Sequence, residues 1–363
     1  MSGNTRQRVQ TSLKNRVSVG LAWLLGHILY RLPQAWVYWL ADRAGIIIYH
    51  LFPTYRRNVR DNITRVLGPD TPPAEVDRVV RRVFQTSARN FTDMLRVPYM
   101  PADRLSKMVR TAPGAWEVVE NALAQGRGVI MATAHLGAFD FVAQILALRG
   151  FDVTVLTTRT VPEFIHAAVD YLRGSRGLKL EHATPGGVRR VVRALKDGAV
   201  VGIVADRDFF QSGVPAVFFG HETTLPPGPI RIARQTGAMI VPAFAPRVDG
   251  GYELIIEQPF VVPRTNDAEA DLRVGLERLI AAFERHIRRV PEQWVMFQRV
   301  WPARVGSALR VFPIGSPLEG ELLGRGADVA RPLTAPPESP TDHTGSPPSP
   351  VPESVPRPAT RRE

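Results

Sequence analysis

Residues 126–150, GRGVIMATAHLGAFDFVAQILALRG, decide how the chain is read. The first part, 126–134, is an apolar and partly β-branched run after a Gly-rich turn. It is expected to form a buried strand. From Phe139 the pattern becomes helical and stops at Gly150. His135 and Asp140 stand at the junction. On one continuous helix, five residues turn the chain through roughly 500°, and the two side chains would diverge. If a strand ends near His135 and a helix starts after Gly137, both side chains can meet at the strand's mouth.

The alternation continues outward. FDVTVLTT (151–158) reads as a strand, 161–174 as a helix with Pro162 in its first turn, and 178–183 as a short strand. PGGVRRVVRALKDG (185–198) reads as a helix closed by Gly198, and AVVGIVAD (199–206) as a second apolar strand. VPAVFFG (214–220) and a helix from about 229 to 237 follow. MIVPAFAPR (239–247) and YELIIEQPFVV (252–262) flank a DGG turn, which predicts an antiparallel pair at one edge. Residues 267–290 form an amphipathic helix with Leu272, Leu276, Leu279, Ile280, Phe283 and Ile287 on one face. The expected fold class is α/β, a mostly parallel sheet flanked by helices with an antiparallel edge.

The first hundred residues are different. A basic stretch (Arg6, Arg8, Lys14, Arg16) precedes two apolar runs rich in Trp and Tyr, 17–30 and 35–52. The first is too short for a comfortable span of about 20 residues, and Asp42 and Arg43 interrupt the second. Trp and Tyr suit the headgroup level, so membrane-associated helices are expected, spanning or lying on the surface. A buried hairpin of a soluble protein is the bland alternative, and a signal peptide is disfavoured by the lack of a clean cleavage site. Beyond 325 the chain is rich in Pro, Ser and Thr, and a disordered tail is expected. The organisation read this way is 1–55 N-terminal helices, 56–310 a catalytic domain and 325–363 the tail.

Of 363 residues, 44% are hydrophobic and 22% charged, with a net charge of +12 and no cysteine. Disulfides, thiolate–zinc sites and a cysteine nucleophile are excluded. The positive charge favours polyanionic partners: anionic lipid or an acidic carrier protein. No nucleic-acid-binding signature accompanies it, so no nucleic-acid partner is expected.

The expected chemistry follows from His135. Asp140, in the first helical turn, would accept a hydrogen bond from one imidazole nitrogen and fix the tautomer. The other nitrogen would take a proton from a hydroxyl, help worth roughly 100- to 10,000-fold. No GxSxG elbow is present, so the hydroxyl is expected to come from the substrate. That suggests direct acyl transfer from a thioester to an alcohol. Asp206-Arg207-Asp208, at a strand end, admits a metal reading, a salt-bridged turn, or a substrate-positioning role. The last is preferred, because Arg207 would repel a cation, and neither metal nor cofactor is expected.

HLGAFD (135–140) resembles the H-x4-D motif of the glycerolipid acyltransferase superfamily. The wider layout resembles the bacterial lipid A biosynthesis (lauroyl/myristoyl) acyltransferases, whose relatives include phosphatidylinositol mannoside acyltransferases. YRRNVRDNITRVLG, TTRTVPEF, RGSRG, ADRDFFQSGVPAVFFGHETTLPPGP and PEQWVMFQRVW match that family's blocks in order over residues 15–305. Asp140 stands where many lipid A enzymes have Glu, and Arg207 where they often have Gln. The resemblance implies that His135 and Asp140 are catalytic. Arg159, Arg176, Asp206, Arg207 and Asp208 would contact substrate, the guanidinium fork matching phosphate. It implies an acyl-carrier-protein or acyl-CoA donor, a lipid or glycolipid acceptor such as a phosphatidylinositol mannoside or a lysophospholipid, and the cytoplasmic face of a bacterial inner membrane. A membrane-attached glycosyltransferase using the DRD segment and a non-catalytic lipid-binding protein are the rival readings.

Overall fold

The structure, a computed structural model, describes residues 2–158 and 162–301, with side chains from residue 13 onward. Arg159 and the tail expected at 325–363 lie outside the described residues. Four helices come first: α1 (Ser2–Arg31), α2 (Gln34–Leu51), α3 (Pro53–Leu67) and α4 (Pro73–Arg96). Prolines 53 and 73 open α3 and α4, where the missing N–H costs nothing. After the short α5 (Ala102–Lys107), strands and helices alternate: β1 (Val109–Thr111), α6 (Ala115–Leu123), β2 (Val129–Thr133), α7 (Phe139–Leu148), β3 (Val153–Thr157), α8 (Glu163–Gly174), β4 (Lys179–His182), α9 (Pro185–Lys196) and β5 (Val200–Val204). A hairpin of β6 (Val214–Phe218) and β7 (His221–Leu225) precedes α10 (Gly228–Thr236), β8 (Met239–Phe244), β9 (Arg247–Val248), β10 (Gly251–Ile256) and α11 (Ala268–Arg289).

The main sheet runs β1-β10-β8-β2-β5-β3-β4, with β9 paired to β10. Strands β8, β2, β5, β3 and β4 are mutually parallel. The antiparallel pair expected at the edge is β8 with β10, but it lies one strand in, because β1 adds in parallel outside β10. A three-residue strand carries too little periodicity to announce itself. Strand β2 is central and in register with β5 from Val129↔Val200 to Thr133↔Val204.

Alternating side chains of these strands feed two cores. Ile130, Ala132, Ala134 and Leu136, with Val201, Ile203 and Ala205, pack into the larger one, shared with α3, α4, α9, α10 and α11. Met131 and Val200 point the other way, into a second core with Phe141, Val142, Ile145 and Leu146 of α7. Each fully buried large apolar side chain contributes roughly 1.5–3 kcal/mol to burial. The period of two therefore dictates which face of the sheet each post-strand residue inherits.

The N-terminal helices pack on the domain through α4 and α8. Gly26 and Gly45 permit this closeness: a Cβ on Gly26 would meet the Leu95 carbonyl oxygen at 2.2 Å, and one on Gly45 the Phe84 carbonyl oxygen at 2.7 Å. The outer faces of α1 and α2 stay apolar and exposed, with Trp36 68% and Trp39 57% accessible beside Trp23, Leu24, Ile28 and Leu51. Among the described residues no helix is long and apolar enough to cross a membrane. The spanning alternative is thus without a candidate helix there, and the exposed apolar face is what remains of the expectation.

Candidate active site

His135 lies two residues past the end of β2, and Asp206 two residues past the end of β5. Because Thr133 and Val204 are register partners, the two residues emerge side by side at the carboxyl edge of the sheet, the usual ligand position in open α/β sheets. The His135 ring Nδ1 is 2.7 Å from Asp206 Oδ1, and the His135 backbone N–H donates to Asp206 Oδ2 at 2.8 Å. The Trp294 indole N–H donates to the same Oδ2 at 2.8 Å. Asp206 is fully buried.

Burial pushes the Asp206 carboxyl up, but the His135 ring, the Trp294 N–H and the His135 backbone N–H together hold it below the ordinary carboxylate range. An ionised carboxylate can only accept. Nδ1 therefore carries the hydrogen, and the Nε2 lone pair is directed away from Asp206. The His135 side chain keeps 23% of its surface accessible, which leaves the imidazole reachable.

The loop carrying His135 is fixed backbone group by backbone group. The His135 carbonyl accepts from Val295 N–H at 2.9 Å, Gly137 N–H donates to the Gln293 carbonyl at 2.9 Å, and Ala138 N–H donates to the Ala245 carbonyl at 2.8 Å. Asn90 of α4 donates to the Gly137 carbonyl at 2.7 Å. Gly137 has φ +63°, and a Cβ there would meet the Ala245 carbonyl oxygen at 2.0 Å. Only glycine allows that approach.

Behind Asn90 lies a buried polar network. Arg247 donates to Asn90 Oδ1 at 3.0 Å, to Asp93 at 2.7 Å and to the Tyr38 hydroxyl at 3.1 Å, while Tyr252 also donates to Asp93. Burial, then the Asp93 charge, raises the Tyr252 hydroxyl well above its ordinary value, so it stays a donor. Gln293 clasps the Arg247 backbone through both ends of its amide. These bonds tie α2, α4, β9 and β10 to the His135 loop.

Asp140 sits in the first turn of α7 as expected, but the expected hydrogen bond from His135 is not the one formed. Its two oxygens accept from Arg173 Nε and Nη2 of α8 at 2.7 and 2.9 Å. Strand register puts Asp206, not the next helix's first turn, against Nδ1. Arg176 is likewise engaged elsewhere: its guanidinium donates to the Val97 carbonyl at 2.8 Å and to the Met100 carbonyl, clasping the turn after α4. Arg207 is half-buried and stacks on Phe209 at 3.7 Å, lining a cleft with Phe210 and Arg231. Burial lowers its guanidinium, opposed by Asp206. Among the described residues it makes no hydrogen bond. Asp208 accepts from the Ser212 and Gly213 N–H groups and the Thr224 hydroxyl, closing the loop before β6. The two aspartates of DRD thus serve different neighbours. Among the described residues no three His, Asp or Glu gather as metal ligands.

The sequence reading missed Asn90, Arg247, Gln293 and the role of Trp294. Asn90, Asp93 and Arg96 recur every third residue on the inner side of an amphipathic helix, and that polar stripe was the available signal. Nothing local in the sequence singles out Arg247.

The bacterial lipid A biosynthesis acyltransferase family matches residues 8–302. A phosphatidylinositol mannoside acyltransferase of Mycobacterium tuberculosis (strain CDC 1551 / Oshkosh) is 28% identical over 300 residues, covering 77% of this chain and 92% of the relative. One from Mycolicibacterium smegmatis is 29% identical over 259 residues, covering 69% and 81%. A lipid A biosynthesis acyltransferase of Haemophilus influenzae is 24% identical over 276 residues, covering 75% and 82%.

Proposed function

Because the chain belongs to the bacterial lipid A biosynthesis acyltransferase family and is a lipid acyltransferase, we propose that it transfers a fatty acyl chain from an acyl-carrier-protein or coenzyme A thioester to a hydroxyl of a glycolipid. His135 Nε2 takes the hydroxyl proton as the oxygen attacks the thioester carbonyl. The tetrahedral intermediate collapses, the carbon–sulfur bond breaks, and the imidazolium gives the proton to the departing sulfur, so that a thiol leaves and neutral His135 is restored. Asp206 orients the ring and stabilises its charge while that proton is in transit.

The observation that carries this reading is the His135–Asp206 contact at 2.7 Å, fully buried on the carboxylate side and accessible on the imidazole side. Asp140 acts in it as a positioning residue, holding α7 against α8. Arg207, without a hydrogen-bonded partner among the described residues, suits a phosphate or carbonyl oxygen of either substrate, and Arg159 is a further candidate for the same task. Among acceptors, a mannosylated phosphatidylinositol is favoured, since two of the three relatives named above carry that name.

Membrane attachment is proposed as peripheral, at the cytoplasmic face of the inner membrane. Its support is the exposed Trp-rich face of α1 and α2 and the net charge of +12, which together suit an anionic lipid surface.

Lipid mass spectrometry of a deletion strain complemented with wild type or His135→Ala tests the reaction. Wild type should restore an acylated glycolipid that His135→Ala does not. Identical lipid profiles in the deletion strain and both complemented strains would overturn it.

A further inference from the structure

Both peptide groups of Gly137, two residues past His135, are held by partners of a single residue, Arg247. The Gly137 N–H donates to the Gln293 carbonyl at 2.9 Å. The Gln293 side chain in turn accepts from the Arg247 N–H at 2.6 Å and donates to the Arg247 carbonyl at 2.9 Å. On the other side, the Gly137 carbonyl accepts from Asn90 Nδ2 at 2.7 Å, and Asn90 Oδ1 accepts from Arg247 Nη2 at 3.0 Å. Two hydrogen-bonded paths therefore leave Arg247, one from its backbone and one from its guanidinium, and they close on the same glycine. Gly137 holds φ +63°, so its two flanking peptide planes decide where the chain from His135 turns into α7.

The guanidinium also decides which way Asn90 faces. An amide has a donor end and an acceptor end, a guanidinium only donates, and a carbonyl only accepts. With Arg247 on one side and the Gly137 carbonyl on the other, one amide orientation satisfies both, and among the described residues Asn90 has no further hydrogen-bond partner. Arg247 is itself fixed. It donates to Asp93 at 2.7 Å and to the Tyr38 hydroxyl at 3.1 Å, and it lies over the Tyr38 and Tyr252 rings at 5.1 and 4.9 Å from their centroids. Only 12% of its side chain is accessible, and Asp93 is sealed. A buried ion pair is weak evidence for stability, because desolvation offsets the attraction. What this one supplies is a fixed donor geometry behind the catalytic loop.

We infer that Arg247 and Asn90 are positioning residues for acyl transfer: together they set the Gly137 turn and so aim His135 Nε2 at the reacting hydroxyl. This rests on the acyl-transfer reading above. Asp206 gives the imidazole its tautomer; Arg247, through Asn90, sets where the backbone under that imidazole stands. A displacement of about 1 Å there costs on the order of 100-fold in rate. Neither residue touches the substrates, so the loss falls on kcat and leaves KM in place.

The test uses the full chain, hexadecanoyl thioesters of coenzyme A and of acyl-carrier protein, and vesicles containing a mannosylated phosphatidylinositol. Thiol release gives kcat and KM, and urea unfolding gives stability. Asn90→Asp keeps the shape and still accepts from Arg247, now with charge assistance, but cannot donate to the Gly137 carbonyl. Its urea midpoint should stay near that of wild type while kcat falls about 100-fold and KM holds within about twofold. Arg247→Lys keeps a cation on Asp93 without the fork that reaches Asn90, and should lose kcat in the same way. Because both act through one amide, Arg247→Lys should cost no further rate in an Asn90→Ala background. Asn90→Asp decides the matter if Arg247→Lys does not fold. Unchanged kcat in these variants, whatever their midpoints, would mean that the network only supports the fold. Losses that add, or that fall on KM, would mean that Arg247 reaches the reaction by another route. Either result overturns the inference and leaves the acyl-transfer reading standing. Wild type that releases no thiol from either donor overturns that reading and this inference with it.

Discussion

Asp206 follows the end of β5 and Asp140 opens the helix after β2, and their surroundings could hardly differ more. Asp206 is sealed from solvent and accepts from two groups of His135 and from Trp294. Asp140 keeps 25% of its side-chain surface and is held by one guanidinium, Arg173, in a two-bond fork. The first belongs to the register of two neighbouring strands, the second to the packing of two neighbouring helices. A carboxylate set by strand register is placed with little freedom, which suits orienting a ring; one set by a helix pair braces the scaffold around it.

The contrast predicts unequal losses. Asp206→Asn leaves the shape but offers Nδ1 the wrong partner, so kcat/KM for acyl transfer should fall about 1,000- to 10,000-fold. Asp140→Asn should cost far less in rate, about tenfold, and show itself chiefly as about 1–2 kcal/mol in urea unfolding, from the weakened fork to Arg173. Equal rate losses in the two variants would break the distinction and return Asp140 to the imidazole.

The smallest effect concerns acid. The folded Asp206 carboxyl sits below its ordinary 3.8, so the folded protein binds this proton less readily than the unfolded chain. Its contribution to stability is complete above the unfolded value and is lost as pH falls through the folded one. Urea midpoints between about pH 5 and pH 3 should therefore fall less steeply for Asp206→Asn than for wild type. Matching slopes would mean that Asp206 does not hold its charge, and that the tautomer argument fails.

Much of the α/β domain was legible because its signals are local. Apolar runs of strand length, amphipathic helices and their Pro and Gly boundaries lie within single windows of sequence, and they located β2, α7, β3, α9, β5 and α11. The three-residue β1 fell below that threshold. His135 was legible for the same reason, as the polar residue that ends an apolar strand. Arg207 and both aspartates of DRD were noticed, yet their division of labour was not: Asp208 closes the loop before β6 and accepts from Thr224 of β7, sixteen residues away. Arg176 looked like an anion ligand because a guanidinium suits phosphate, but carbonyls at a helix end suit it equally.

The sequence by itself determined the alternation of strands and helices, the strand-end position of His135 and, through ordered motifs, the family. Tertiary structure alone decided that Asp206 faces the imidazole and that Asn90 and Gln293 hold its loop. The reason is that strand order is non-local. β2 and β5 are neighbours across 71 residues of sequence, and three intervening helices and two strands must fold before a carboxylate after one can meet an imidazole after the other.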